Sequence, residues 1–86
     1  MTEPDRIAIE AADVWPEDVE ETEAVVVNWF AREGRRVEAG EPVCEIQIEK
    51  VSVDVPAPVA GELVAIECDE EEAFTRDDAL GRIEPA

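Results

Sequence analysis

Histidine and tyrosine are absent from this chain, lysine occurs once, and cysteine occurs twice. Without histidine, the commonest general acid–base side chain and the usual nitrogen ligand of zinc are both missing. Cys44 and Cys68 form no Cys-x-x-Cys pair and have no metal-ligand spacing. Both fall on the apolar phase of their segments, where cysteine behaves as a small buried hydrophobe. There is no Ser/His pair and no phosphate-cradling glycine loop. Nothing reads as an active site.

Long apolar runs are missing too, so no segment is long enough to span a bilayer as a helix. The acidic N-terminus lacks the basic start of a signal peptide, which makes a cytoplasmic protein the default expectation. Carboxylates are what the chain has in excess. Twenty-four Asp and Glu stand against seven Lys and Arg, a formal net charge of −17 over 86 residues. Nucleic acid and anionic membrane surfaces would repel such a chain, so neither is expected as a main partner. Adaptation to concentrated salt would also produce this balance, because salt screens self-repulsion. A genome that favours arginine over lysine is the plainer explanation. The length fits one small domain, residues 1–86, with a core over about 6–84.

Shifted by 37 residues, the chain partly matches itself without gaps. Ala24 falls on Gly61, Val26 on Leu63, Val27 on Val64 and Trp29 on Ile66. Val37 falls on Phe74, Val43 on Leu80 and Ile46 on Ile83, while Gly40-Glu41 falls on Asp77-Asp78. Two related β units would give such a pattern if neither could bury its apolar face alone. Strands are predicted over 6–9, 24–30, 36–38, 43–48, 51–55, 62–68, 73–75 and 79–84. Many short strands separated by turns predict a sandwich or barrel. Pro56 and Pro58 interrupt the ladder after residue 55, and Gly34, Gly40 and Gly61 suit turns. The polar segment Ala11–Glu23 reads as a surface loop with Trp15 tucked against the core. A short helix over Pro16–Glu23 competes with that reading, because proline suits a first helical turn.

The lone lysine, Lys50, stands at the centre of the clearest pattern. Cys44, Ile46 and Ile48 alternate with Glu45, Gln47 and Glu49; Val51, Val53 and Val55 alternate with Ser52 and Asp54. Both runs have the two-residue period of half-buried strands. Only Glu49 and Lys50 separate Ile48 from Val51, the length of a tight hairpin connection, although neither is the glycine or asparagine such turns prefer. A single primary amine on a rigid tip is a natural attachment point; a solvated surface lysine is the bland alternative.

The residues from Gly34 to Gly61 resemble the lipoyl domains of 2-oxoacid dehydrogenase acyltransferases, in the biotinyl/lipoyl attachment family. The pattern comprises Gly34, Val37, Gly40, Val43, Glu49-Lys50-Val51, Val55-Pro56-Ala57-Pro58 and Gly61. A weaker likeness runs from about residue 6 to residue 84. The resemblance implies an all-β fold, a flattened barrel of two four-stranded antiparallel sheets related by a pseudo-twofold, with the attachment lysine on a hairpin turn. It implies lipoic acid joined to Lys50 by an amide, with acyl groups and reducing equivalents shuttled between active sites. The implied partners are a lipoate-attaching enzyme, a thiamin-diphosphate 2-oxoacid decarboxylase, an acyltransferase core and a dihydrolipoamide dehydrogenase. On this view the chain is a carrier and not itself an enzyme. Gln47, Glu49 and Val51 would set the turn and be read by the ligase, and Gly61 would let a neighbouring loop come close to the hairpin.

This chain departs from the family in having Glu49 where Asp is usual and Gln47 where Glu is common. Biotin carrier domains share the fold but bracket their lysine with methionines, and the only methionine here is Met1. Biotin is therefore the alternative cofactor. The glycine-cleavage carrier is a longer relative. An unmodified barrel serving as a non-covalent scaffold is the reading from a different class. Met1 suits a free-standing carrier, and Pro85-Ala86 suits the start of a linker in a longer acyltransferase. The acidic runs Asp69-Glu70-Glu71-Glu72 and Asp77-Asp78 read as a solvated face, with steering of basic partners as the sharper alternative.

Overall fold

In a computed structural model describing residues 6–86, eight strands form two four-stranded sheets; Met1 lies outside the described residues. In chain order the strands are β1 (Ile7–Glu10), β2 (Glu23–Trp29), β3 (Arg36–Val37), β4 (Pro42–Ile48), β5 (Val51–Pro56), β6 (Gly61–Ile66), β7 (Ala73–Thr75) and β8 (Ala79–Pro85). One sheet has the order β1-β8-β6-β3 and the other β5-β4-β2-β7, and every pairing is antiparallel. Each predicted strand is present, with no end displaced by more than two residues. The alternation explains why. Val26, Val37, Val43, Ile46, Ile48, Leu63, Leu80 and Ile83 all point inward and are fully buried between the sheets. Each such side chain contributes about 1.5–3 kcal/mol relative to exposure.

The 37-residue shift is a property of the fold and not only of the hydrophobic pattern. It carries β2 onto β6, β3 onto β7 and β4 onto β8, and these pairs hold equivalent places in the two sheets. The β2–β4 ladder slips between Val26 and Asn28, and the β6–β8 ladder slips between Leu63 and Ala65. Val27 and Val64 are thus matching β-bulge residues, each adding local twist. Hydrogen bonds repeat as well. Gly34 N donates to Leu63 O at 2.7 Å, and Glu71 N donates to Val26 O at 2.7 Å. Leu63 N donates to Arg35 O at 2.9 Å, and Val26 N donates to Glu72 O at 3.1 Å. Even carboxylates match: Glu33 accepts from Ile66 N at 2.8 Å, and Glu70 accepts from Trp29 N at 2.9 Å.

These bonds show how the halves interlock. The chain leaves β2, crosses to lay β3 on the edge of β6, and returns for β4; after β6 it crosses back to lay β7 on the edge of β2. The crossing requires a left-handed residue in each half, at Gly34 (φ 94°) and at its counterpart Glu71 (φ 69°). Glycine adopts that conformation freely, and glutamate does not.

The Ala11–Glu23 segment forms the predicted loop. The competing helix over Pro16–Glu23 is not formed. The only helical turn among the described residues is a single 3₁₀ turn at Ala11–Asp13, ahead of the proline. Trp15 is buried, stands edge-on to Phe74 at 6.2 Å, and donates its indole N–H to Glu21 O at 3.2 Å, which ties the loop back over it.

Charge is poorly compensated on this surface. The ion pairs among the described residues are Arg35–Glu41, Arg36–Glu38 and Arg82–Glu67, all solvent-exposed and so of small value. Glu45 stands directly opposite Asp54 across β4–β5, with Asn28 as its other neighbour, whereas Glu62, opposite Glu84 across β6–β8, has Arg36 as its other neighbour. Like charges in directly opposed positions destabilise a sheet.

Two outcomes follow. Glu71→Gly is expected to stabilise the protein by about 0.5–1 kcal/mol in denaturant titration. Relief of roughly 1–2 kcal/mol of left-handed strain outweighs the added freedom of the unfolded chain. The melting temperature is expected to rise from low to molar salt, and Asp54→Asn to raise the low-salt value by about 2–5 °C while shrinking that rise. A melting temperature indifferent to salt would refute the account of the charged rungs.

Candidate functional site

Lys50 lies at the apex of the β4–β5 hairpin. The ladder runs from Cys44↔Val55 through Glu45↔Asp54, Ile46↔Val53 and Gln47↔Ser52 to Ile48↔Val51, and Glu49 and Lys50 alone close it. The root of this hairpin is fixed. β4 is an interior strand with β2 on its other side, and Ile48, the residue before the turn, is fully buried. Beyond Ile48 everything faces water: Glu49 and Lys50 are exposed, and Val51 is 41% exposed. Among the described residues, the Lys50 amine has no hydrogen-bond or ion-pair partner.

The turn has the positive-φ pattern of a type II′ connection and not of type I′. A type I′ turn needs positive φ at both central residues. Here Glu49 has φ 54°, and Lys50 is not among the positive-φ residues. A non-glycine residue in the left-handed region is strained and has to be held by its surroundings. Gln47 supplies one hold: its side-chain Nε2 donates to the Glu49 carbonyl oxygen at 3.0 Å. Beside the hairpin runs an open groove lined by Glu21, Glu23, Ala24, Val25, Gln47, Glu49 and Ala73. The Trp15-anchored loop and the start of β2 thus bring two further carboxylates, Glu21 and Glu23, next to the turn.

Gln47, Glu49 and Val51 are therefore brought together around Lys50, and Gly61 is not. Gly61 opens β6 in the other sheet, paired with Val37 and Pro85. A Cβ there would lie 2.1 Å from the Glu84 carbonyl oxygen and 2.9 Å from the Pro85 Cα. The close approach that this glycine permits is to the end of β8, not to a loop near the hairpin. The acidic runs also have local work. Asp69 N donates to Glu72 Oε1 at 2.8 Å, Thr75 N donates to Asp78 Oδ2 at 2.8 Å, and Glu70 takes the Trp29 N–H. These carboxylates cap turns and a bulge, in addition to facing solvent. The repeat carried a signal for this, since the shift places Glu33 on Glu70.

A family model described as "Biotin-requiring enzyme", the biotin/lipoyl model, matches residues 16–83. The chain belongs to the biotin/lipoyl family. Similar proteins include the dihydrolipoyllysine-residue acetyltransferase component of the pyruvate dehydrogenase complex of Mycobacterium bovis, 39% identical over 72% of this chain. The dihydrolipoyllysine-residue succinyltransferase component of the 2-oxoglutarate dehydrogenase complex of Bartonella vinsonii subsp. berkhoffii is 41% identical over 73%. The acetyltransferase component from Corynebacterium glutamicum is 36% identical over 72%. The matched stretch spans only 11%, 15% and 9% of these relatives' own lengths.

For a member of this family, the two thiols matter through their quietness. Cys44 and Cys68 are free and buried. Burial, reinforced by the charges of Cys68 and Asp54, pushes the Cys44 thiol up to about 12, and burial with nearby Glu72, Asp78 and Asp69 pushes Cys68 to about 11. The thiolate is the nucleophile, so both groups are inert near neutral pH.

Alkylation by iodoacetamide at pH 8 is accordingly expected to be slower in the folded chain than in denaturant, by on the order of a hundredfold for Cys68 and a thousandfold for Cys44. The same shifts fix a sign for stability. Both native pKa values lie above the unfolded value of 9.0, so this contribution is intact below pH 9 and is lost as pH rises towards 11–12. Denaturant titration across pH 8 to 11 should show that decline, and its absence in Cys44→Ala/Cys68→Ala would assign it.

Proposed function

We propose that the chain is a lipoyl carrier, lipoylated on Lys50, serving a complex of the 2-oxoacid dehydrogenase type. The observation carrying this reading is the lone exposed amine at the apex of a buried-root hairpin, in a fold of the attachment family. The relatives' names favour lipoyl over biotin, and so does the bracketing of Lys50 by Glu49 and Val51 rather than by methionines.

The site fits the group. Amide formation needs a reachable amine, and Lys50 is exposed, with no partner among the described residues to give up. Bound there, the lipoyl group supplies redox and acyl-transfer chemistry at sulfur, which the chain's own residues lack. What the chain contributes is mechanical and electrostatic. Ile48 and the β4–β5 ladder hold the turn, so a modifying enzyme meets one backbone shape. The lysine side chain extends freely beyond it and lets the attached group reach into other proteins' active sites. Tethering the group raises its effective concentration wherever the carrier is held in a complex. Amide formation removes the single positive charge from a tip flanked by Glu21, Glu23 and Glu49, which makes this end wholly acidic and complementary to basic rims. The partners on this reading are a lipoate-attaching enzyme, a thiamin-diphosphate decarboxylase, an acyltransferase core and a flavin dehydrogenase. Catalysis resides in them, and the chain is the passenger's carrier.

Incubation with lipoate, ATP and a lipoate ligase is expected to add one lipoyl mass, mapped to Lys50 by peptide mass spectrometry and abolished in Lys50→Arg. Labelling by biotin and its ligase, with none by lipoate, would reverse the choice of cofactor. Labelling by neither would leave the non-covalent scaffold as the better reading.

A further inference from the structure

β5 is the edge strand of its sheet. One side pairs with β4, and among the described residues nothing pairs with the other. The two-residue turn makes Ile48 and Val51 a hydrogen-bonded pair, and alternation makes Ile46 and Val53 the next. Val51 and Val53 therefore direct their backbone groups to β4, while the N–H and C=O of Ser52 and Asp54 face outward. Side chains along this edge are also incompletely covered. The row Val55, Val53, Val51, on one face of the strand, goes from buried through half-buried to 41% exposed as it nears the tip. On the opposite face Asp54 has Glu45 beside it, and no ion pair among the described residues reaches either carboxylate. At the end of β5 an apolar cavity opens between Ile9, Val14, Val55 and Pro58, and the charged residues lining it are Glu10 and Asp13.

We propose that the free edge of β5 is a docking site for an extended segment of another protein, added as a further strand, in which apolar and basic residues alternate. Charge selects the occupant. A net charge of −17 repels a second copy of this chain, and an edge carrying Asp54 repels an acidic strand. A lysine or arginine opposite Asp54 relieves the like-charge rung with Glu45. The apolar residues on either side of it fall on the face of Val53 and Val55, cover that row and reach the cavity. Main-chain bonds to Ser52 and Asp54 complete the strand addition. Asp54 lies four residues past Lys50, and the docking does not depend on what Lys50 carries.

The probe is a capped octapeptide of alternating valine and lysine, added to the full chain. A peptide of the same composition, with all its valines before its lysines, is the control. Amide exchange followed by NMR is expected to slow at Ser52 and Asp54 by at least about tenfold at saturation, with Val51 and Val53, already paired, unchanged. Ser52→Pro removes one outward N–H without touching the β4 ladder, and is expected to weaken binding by about three- to tenfold. Backbone methylation of the peptide provides a test on the unaltered protein. Methyl groups on the lysine nitrogens block one edge of the peptide and those on the valine nitrogens block the other, so only one of the two sets is expected to abolish binding. Equal binding of the control, or of both methylated peptides, would reduce the effect to attraction between a cation and an acidic surface and would overturn the proposal. Exchange slowed only outside β5, or no binding at all, would do the same. Self-association protecting Ser52 and Asp54 in molar salt, without peptide binding, would assign the edge to a second copy instead.

Discussion

The fold depends on a reciprocal exchange of two short strands. β3 closes the edge of the sheet built around β6 and β8, and β7 closes the edge of the sheet built around β2 and β4. Each is only two or three residues long and could not persist alone. What keeps them in place is the matched set of backbone bonds from Gly34 to Leu63 and from Glu71 to Val26. Neither half can complete its own sheet, so neither can bury its own apolar face. The core of Val26, Ile46, Leu63, Leu80 and Ile83 exists only once both crossings are made. Glu71 shows how strong that requirement is. A residue type that disfavours positive φ is held there because the crossing demands it.

The hairpin inherits its rigidity from this arrangement. β4 is bonded on both sides, and its last residue, Ile48, is anchored in the core, so disorder cannot spread from the tip into the sheet. The contrast between a fixed backbone at Ile48 and an exposed amine two residues later, unpartnered among the described residues, is the physical basis of the carrier reading. A tip that moved as a whole would present the ligase with many shapes. A lysine that paired with one of the many nearby carboxylates would be restrained from reaching out. Among the described residues no such pair forms.

How much of this was legible in the sequence varies with the range of the interaction. The strands were legible because period two is a local property, and runs such as Val43–Ile48 and Val51–Val55 display it plainly. The repeat was legible as hydrophobic phase, but the exchange of β3 and β7 was not, since pairing between halves is non-local. Gly61 shows the same limit. It follows Lys50 by only eleven residues, yet the chain has changed sheets in between, and the glycine serves the end of β8. At the site, Lys50 stood out by uniqueness and spacing, and the family resemblance marked Gln47, but the bond from its side chain to the Glu49 carbonyl was not legible. That bond depends on a turn conformation that the residue type of Glu49 argues against. Pro16 suggested a helix because proline suits a first turn, whereas the tie of the loop over Trp15 is not a local property.

The pseudo-symmetry also bears on why there is one attachment tip and not two. β4 pairs with β5 as β8 pairs with β1, and the shift that relates the sheets places the end of β8 where β4 reaches its turn. The two ends of the barrel are thus built on the same ladder. They differ in covalent continuity: the chain runs directly from β4 into β5, but it does not run from β8 into β1. Only the first pair can form a closed two-residue turn, with a fixed φ at Glu49 and a defined exit for the next side chain. The end of β8 is held instead by β6, where Pro85 pairs with Gly61 and Ala86 N donates to Ala60 O at 3.1 Å. Symmetry therefore supplies the stability, and the single closed turn supplies the address.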